Sequence, residues 1–192
     1  MLGTIVNAAA IIVGGALGLL LKKGIPERVS SGIMQGLGLV VIYIGISGML
    51  KGQNILIATI SIVVGGAIGM ILDFDGRFNR FVGNMEQRFV KSEAGGNKLS
   101  EGFITTTLLY CVGAMAVVGS LNSGLTGDHE VLFTKSILDG VSAIIFASTL
   151  GVGVLLSAIP LFLYQGGITL LAQFLAPVLS DAAVAEMTCV GS

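Results

Sequence analysis

Charged side chains divide this chain into long uncharged lengths. From Gly140 to Ser180 no Asp, Glu, Lys or Arg occurs in 41 residues, and further uncharged runs cover Leu2 to Leu21, Ser31 to Leu50, Ile55 to Leu72 and Gly102 to Leu121. A bilayer core of about 30 Å takes about 20 helical residues to cross. The pattern therefore predicts spans over 2–21, 31–50, 55–72, 102–121, 136–157 and 160–179. The long run is divided near Pro160, because proline lacks a helix donor and clashes with the preceding turn; Gln165-Gly166-Gly167 is the competing break. Residues 182–192 resemble the start of a further helix. The fold class expected is an all-α, polytopic transmembrane helical bundle: a single membrane domain over 1–192, with six complete helices, an incomplete seventh and one amphipathic interfacial helix.

Composition strengthens this picture. Apolar residues make up 54% of the chain and charged residues 11%, more apolar than one soluble core needs. A net charge of −1 gives no electrostatic footprint for nucleic acid. Cys111 and Cys189 sit in or beside apolar runs and form no ligand set with His129, so both read as small core residues, and no metal or cofactor is expected. No Lys or Arg precedes the first run, and Ala8, Ala9 and Ala10 lie inside it, so it reads as a retained helix rather than a cleaved signal.

The few charges set the orientation. Lys22, Lys23 and Arg28 in the first loop, and Arg77, Arg80, Arg88, Lys91 and Lys98 in the third, outweigh Lys51 and Lys135 in the second and fourth. The positive-inside rule then puts loops one and three in the cytoplasm and the N-terminus outside. Within the third loop, Phe74, Phe78, Phe81, Met85 and Phe89 recur at helical spacing among Arg77, Arg80, Arg88 and Lys91. Such a helix over about 74–91 either lies on the anionic cytoplasmic leaflet, with the lipid bilayer as its partner, or packs under the bundle.

Small residues set helix contacts. Gly3, Asn7, Ala10, Gly14 and Gly18 share one face of the first span, and Ala58, Ser61, Gly65 and Gly69 share one face of the third. Small residues four apart let backbones approach, which in lipid replaces the missing hydrophobic drive. Ile11 to Gly18 also matches Ile62 to Gly69 at a shift of 51 residues, as a parallel repeat would.

Polar residues inside apolar runs carry the candidate chemistry. An ionisable group at mid-bilayer costs about 2.5–3.5 kcal/mol on insertion scales, so Asp139 asks for a reason. Ser136, Ser142, Thr149 and Ser157 are assigned to its face. It would bind a cation or proton in a pathway that also uses Ser142, Thr149, Asn7 and Gln35; the plainer reading pairs it with Lys135, one turn before it, at the outer surface. Asn7 and Gln35 serve equally well as interhelical hydrogen-bond partners. His129 reads as an exposed loop residue. No phosphate loop and no H-E-x-x-H pair occurs, so an enzyme is the weakest hypothesis.

Four blocks carry a resemblance: Gly3-Thr4-Ile5-Val6-Asn7 with Gly14-Gly15; Lys23-Gly24-Ile25-Pro26 leading to Met34-Gln35-Gly36-Leu37-Gly38; Cys111-Val112-Gly113 to Gly127-Asp128; and Lys135-Ser136-Ile137-Leu138-Asp139-Gly140. Together they resemble the YqgA/YdfK-like family of bacterial inner-membrane proteins, a domain of unknown function. The resemblance implies the membrane class, with transport and biofilm formation as associated roles. It also implies a further hydrophobic helix after Glu186-Met187-Thr188, whereas this sequence stops at Gly191-Ser192. The expected function is a secondary transporter or channel for a small solute or ion; the alternative is a membrane scaffold, possible as a homo-oligomer, using its glycine stripes and basic helix. Cysteines replacing Lys23 and Arg88 should be labelled by an impermeant reagent from the same face of a sealed vesicle; labelling from opposite faces would contradict the topology.

Overall fold

A computed structural model of the chain describes residues 1–21, 25–50, 52, 54–73, 80, 98–111, 113–175 and 181–191. Among these residues every regular element is a helix: α1 (Leu2–Leu20), α2 (Glu27–Met49), α3 (Ile55–Ile71), α4 (Lys98–Cys111), α5 (Ala114–Leu125), α6 (Glu130–Leu150), α7 (Gly153–Leu156), α8 (Ala158–Leu175) and α9 (Asp181–Gly191). The all-helical membrane class expected from the charge gaps holds. By length and apolar composition α1, α2, α6 and the α7–α8 segment from Gly153 to Phe174 can each cross a bilayer, and α4 with α5 makes a fifth crossing if the bent pair is one span. At 17 residues α3 is a shorter apolar helix, about 25 Å long.

Three boundaries differ from the sequence reading. First, α2 begins at Glu27 rather than Ser31, directly after Pro26, whose φ of −51° is set for helix entry. Second, the run over 102–121 is not one rod: the chain turns by 57° between α4 and α5, around Gly113 in extended conformation. Third, the corner of the long uncharged run lies at Gly151, not at Pro160. Gly151 has φ +79°, a left-handed conformation open to a residue without a Cβ. Pro160 is the third residue of α8, where its missing N–H is one of the unpaired first-turn groups. Gln165, Gly166 and Gly167 continue α8 without a break.

The packed centre comprises α1, α6 and α8, with α4 and α5 against them. Ala8, Ile11, Tyr110, Ala143, Ala147, Val154, Ala158 and Leu161 form its apolar cluster. α1 and α6 run parallel: Gly3 faces Leu132, Gly14 faces the Gly140 carbonyl and Gly18 faces the Ile144 carbonyl. At Gly14 and Gly18 an added Cβ would collide with backbone, so this seam needs glycine. The same holds for Gly153, which packs on the Leu99 carbonyl and seats α7 against α4.

The third span behaves otherwise. Gly65 and Gly69 were expected to pack a neighbouring helix, yet among the described residues no side chain and no backbone of another element lies within 4 Å of where their Cβ atoms would be, and α3 buries none of its residues. The matched segments of α1 and α3 thus share a sequence pattern but not a packing role. α9 ties this outer layer to the centre: Asn54 N donates to Glu186 Oε1 at 2.8 Å, Cys189 Sγ donates to the Met49 carbonyl at 3.4 Å, and Thr188 bonds Asn122 on α5. Residues 74–79 and 81–91 of the expected interfacial helix, with Arg77, Arg88 and Lys91, lie outside the described residues; Arg80 is exposed and pairs with Asp73 at 2.7 Å.

Gly14→Ala should lower the unfolding midpoint of the protein in detergent by an overpacking cost of about 1–3 kcal/mol, while Gly65→Ala should leave it unchanged or higher. Thermal scans read by size exclusion compare the two.

Candidate functional site

The uncharged spans leave few polar groups to satisfy, and the fold gathers most of them in one place. Asp139, in the third turn of α6, is 7% exposed and its carboxylate is paired with the Lys135 ammonium one turn earlier, itself 5% exposed. The plainer sequence reading placed this pair at the surface; the pair forms, but inside the protein. Asn7 Nδ2 donates to Asp139 Oδ2 at 3.1 Å and to Gln165 Oε1 at 3.3 Å, which uses both amide hydrogens. Three helices are thereby joined through one side chain.

A second layer continues the cluster along α6. Ser142 Oγ donates to the Asp139 carbonyl at 2.9 Å and lies 3.4 Å from the Tyr110 hydroxyl on α4. The Lys135 ammonium stands 5.9 Å from the centre of the Tyr110 ring, within reach of a cation–π attraction. Tyr110 is 1% exposed and sits just before the α4–α5 bend. The cluster therefore touches the place where that crossing changes direction.

Of the residues named from the sequence, Asn7, Asp139 and Ser142 converge here. Gln35 and Thr149 do not. Gln35 is exposed on α2, which packs weakly on the centre. Thr149 is exposed on α6, and its hydroxyl donates to the Phe146 carbonyl at 3.0 Å in its own helix. Ten residues separate Thr149 from Asp139, so at 100° per residue it points about 80° away from that face. Ser136 and Ser157 are buried but bond backward to Leu132 and Val154 carbonyls. His129 is half-buried rather than exposed, hydrogen-bonded to Ser123 Oγ through Nδ1 at 2.9 Å. Gln165 and Tyr110 were not singled out as site residues; the one available signal was a polar or hydroxylated group inside an uncharged run.

Four buried polar atoms at or beside the cluster have no hydrogen-bond partner among the described residues: Asn7 Oδ1, Gln165 Nε2, Thr4 Oγ1 and Thr169 Oγ1. All four residues are 0% exposed. Among the described residues no group of three His, Cys, Asp or Glu side chains converges to hold a metal.

Apolar spans, a glycine seam and an enclosed cluster of charged and amide groups define a polytopic helical membrane protein with a polar centre. The chain belongs to the protein family of unknown function DUF554, whose model matches residues 2–192. It is 34% identical over 195 residues to the uncharacterized membrane protein YdfK of Bacillus subtilis strain 168, covering all of this chain and 81% of that protein. It is 30% identical over 193 residues to the uncharacterized protein YqgA of Escherichia coli K12, covering all of this chain and 82% of that protein. No solved structure matches.

Removing one partner of a buried ion pair leaves the other uncompensated, at a cost of about 3–5 kcal/mol. Asp139→Asn and Lys135→Met should each depress the unfolding midpoint strongly. The double variant should recover most of the loss, and a thermal-stability cycle in detergent measures the coupling.

Proposed function

We propose that this protein is a secondary transporter or channel for a small solute or ion, in the bacterial inner membrane with its N-terminus outside. The observation that carries the reading is the enclosed Lys135–Asp139–Asn7–Gln165 cluster, which leaves buried polar atoms unpartnered in an apolar protein. Intramembrane ionisable groups mark ion pathways and proton relays, because no structural need requires a charge where leucine would serve. One break in helical direction supports the reading: it follows Tyr110, where the crossing formed by α4 and α5 turns by 57°. Discontinuous helices are a recurrent device of transporters, since non-helical backbone at membrane depth survives where it is buried or lines a cavity. In this reading Asp139 binds the charged part of the solute, Asn7, Gln165 and Ser142 supply neutral contacts, and the protein is not an enzyme.

A second reading has its own observation. α2 and α3 present little buried surface, and Gly65 and Gly69 face open space, so an interaction or scaffold role, including association with a second copy, would use this uncovered layer. Arg77, Arg80, Arg88 and Lys91 would then hold the third loop to anionic lipid.

Reconstituted protein should carry a labelled solute from an ion and small-metabolite panel, and the Lys135→Met/Asp139→Asn double variant should lose at least about tenfold in flux, a barrier rise of about 1.4 kcal/mol. Unchanged flux in the double variant would refute the site. Loss of function on neutralising Arg77, Arg80 and Arg88, with the double variant active, would favour the scaffold.

A further inference from the structure

We propose that the cluster around Asp139 is a binding site for one monovalent cation, and that the Lys135 ammonium is the resident ion which the solute cation displaces. The inference rests on the transport reading and names its substrate class.

The argument starts from register. α1 and α8 are antiparallel: Met1 reaches Gly166, Asn7 bonds Gln165, and Gly15 packs on Leu155, which precedes α8. Thr4 lies one turn from Asn7 towards Met1, and Thr169 lies one turn beyond Gln165. Antiparallel packing puts both on the same side of the amide pair. α6 runs parallel to α1, and Lys135 lies one turn from Asp139 in the direction of Leu132, which faces Gly3. Thr4, Thr169 and Lys135 therefore form one layer, and Asn7, Gln165 and Asp139 the next.

That arrangement collects oxygen donors without using them. Thr4 Oγ1, Thr169 Oγ1 and Asn7 Oδ1 have no partner among the described residues although their residues are 0% exposed. Hydroxyls inside helices often bond back to a carbonyl four residues earlier, as Thr106 and Ser120 do here; Thr169 does not bond the Gln165 carbonyl in this way, and Thr4, in the first turn of α1, has no such carbonyl to use. Leaving a hydroxyl buried and unbonded is costly, so the fold keeps two of them for something not of the protein. Carboxylate, amide and hydroxyl oxygens are hard ligands, suited to a hard cation.

Charge fixes the valence. The site holds a single carboxylate, and in a low-dielectric interior that carboxylate neutralises a single positive charge. With Lys135 in place the requirement is met. A divalent ion would leave one charge uncompensated even after Lys135 withdrew, whereas a monovalent ion substitutes for the ammonium one for one.

Lys135 has somewhere to go. It lies five residues into α6 from Glu130, about 7.5 Å of helix rise, and its four-carbon stem can carry the ammonium most of that distance towards the membrane interface. Asp139, four residues deeper and with a short side chain, stays. The ammonium thus alternates between Asp139 and the interface while the solute cation takes the reverse path, and no charge is left alone in the interior. Lysine rather than arginine fits this role, being a compact point charge on a flexible stem.

Equilibrium binding of radioactive sodium, potassium or rubidium ion to the purified full chain in detergent tests this without requiring transport. Lys135→Met should bind one of these ions at one per chain with an affinity at least about tenfold above wild type, since the internal competitor is gone. Thr4→Val and Thr169→Val remove hydroxyls that bond nothing in the fold. They should leave the unfolding midpoint in choline chloride unchanged and each weaken binding several-fold. Should Lys135→Met be unstable, the wild type still decides: sodium, potassium or rubidium chloride should raise its midpoint above that in choline chloride, and the double threonine variant should lose the increment. No ion-specific binding or stabilisation, or binding indifferent to both threonines, would overturn the site. Binding without flux in vesicles would refute transport and leave the cation site intact; flux of a neutral solute with no cation bound would do the reverse.

Discussion

A carboxylate that must be neutralised inside an apolar protein organises this molecule. Asp139 cannot be left alone in lipid, and Lys135, one turn away on the same helix, answers its charge but not its remaining hydrogen-bonding capacity. Asn7 supplies that from α1, and its second amide hydrogen recruits Gln165 from α8. For the amide to reach, α1 must come within backbone contact of α6, which the glycines at 14, 18 and 140 allow. The close seam and the polar cluster are two sides of one constraint.

The centre and the outer layer contrast accordingly. α1, α6 and α8 interlock through small residues and polar bonds, while α2 and α3 present Val, Ile and Leu outward and touch the rest chiefly through α9. In water such exposure would cause collapse; in a bilayer it is the ordinary condition of a lipid-facing helix, since lipid tails are as apolar as leucine.

How much of this was legible in the sequence depends on what each residue's role requires. The spans are written in the absence of charge, a property of each segment alone, and they were readable. Asp139 and Asn7 stood out because a polar group in an apolar run is conspicuous wherever it points. Which face of a helix meets protein is a relation between segments, and one sequence does not encode it locally. Gln35 and Thr149 were as conspicuous as Asn7 but face outward, while Gln165 drew notice only as a possible break. The identical glycine spacing in α1 and α3 makes the same point, because one set meets Gly140 and Ile144 and the other meets no neighbouring element among the described residues. The corner at Gly151 was missed since proline is the louder breaker, although its position in the first turn of α8 costs it nothing.

The span of sequence between partners bears on biogenesis. Asn7 precedes Asp139 by 132 residues and Gln165 by 158. At ordinary synthesis rates of about 5–20 residues per second, α1 is made roughly 7–30 seconds before its partners exist. Through that interval its amide and its bare glycine face wait in the translocation machinery or the lipid without a mate. Assembly of the centre is thus a late, long-range event, in which the first helix made is among the last to be locked.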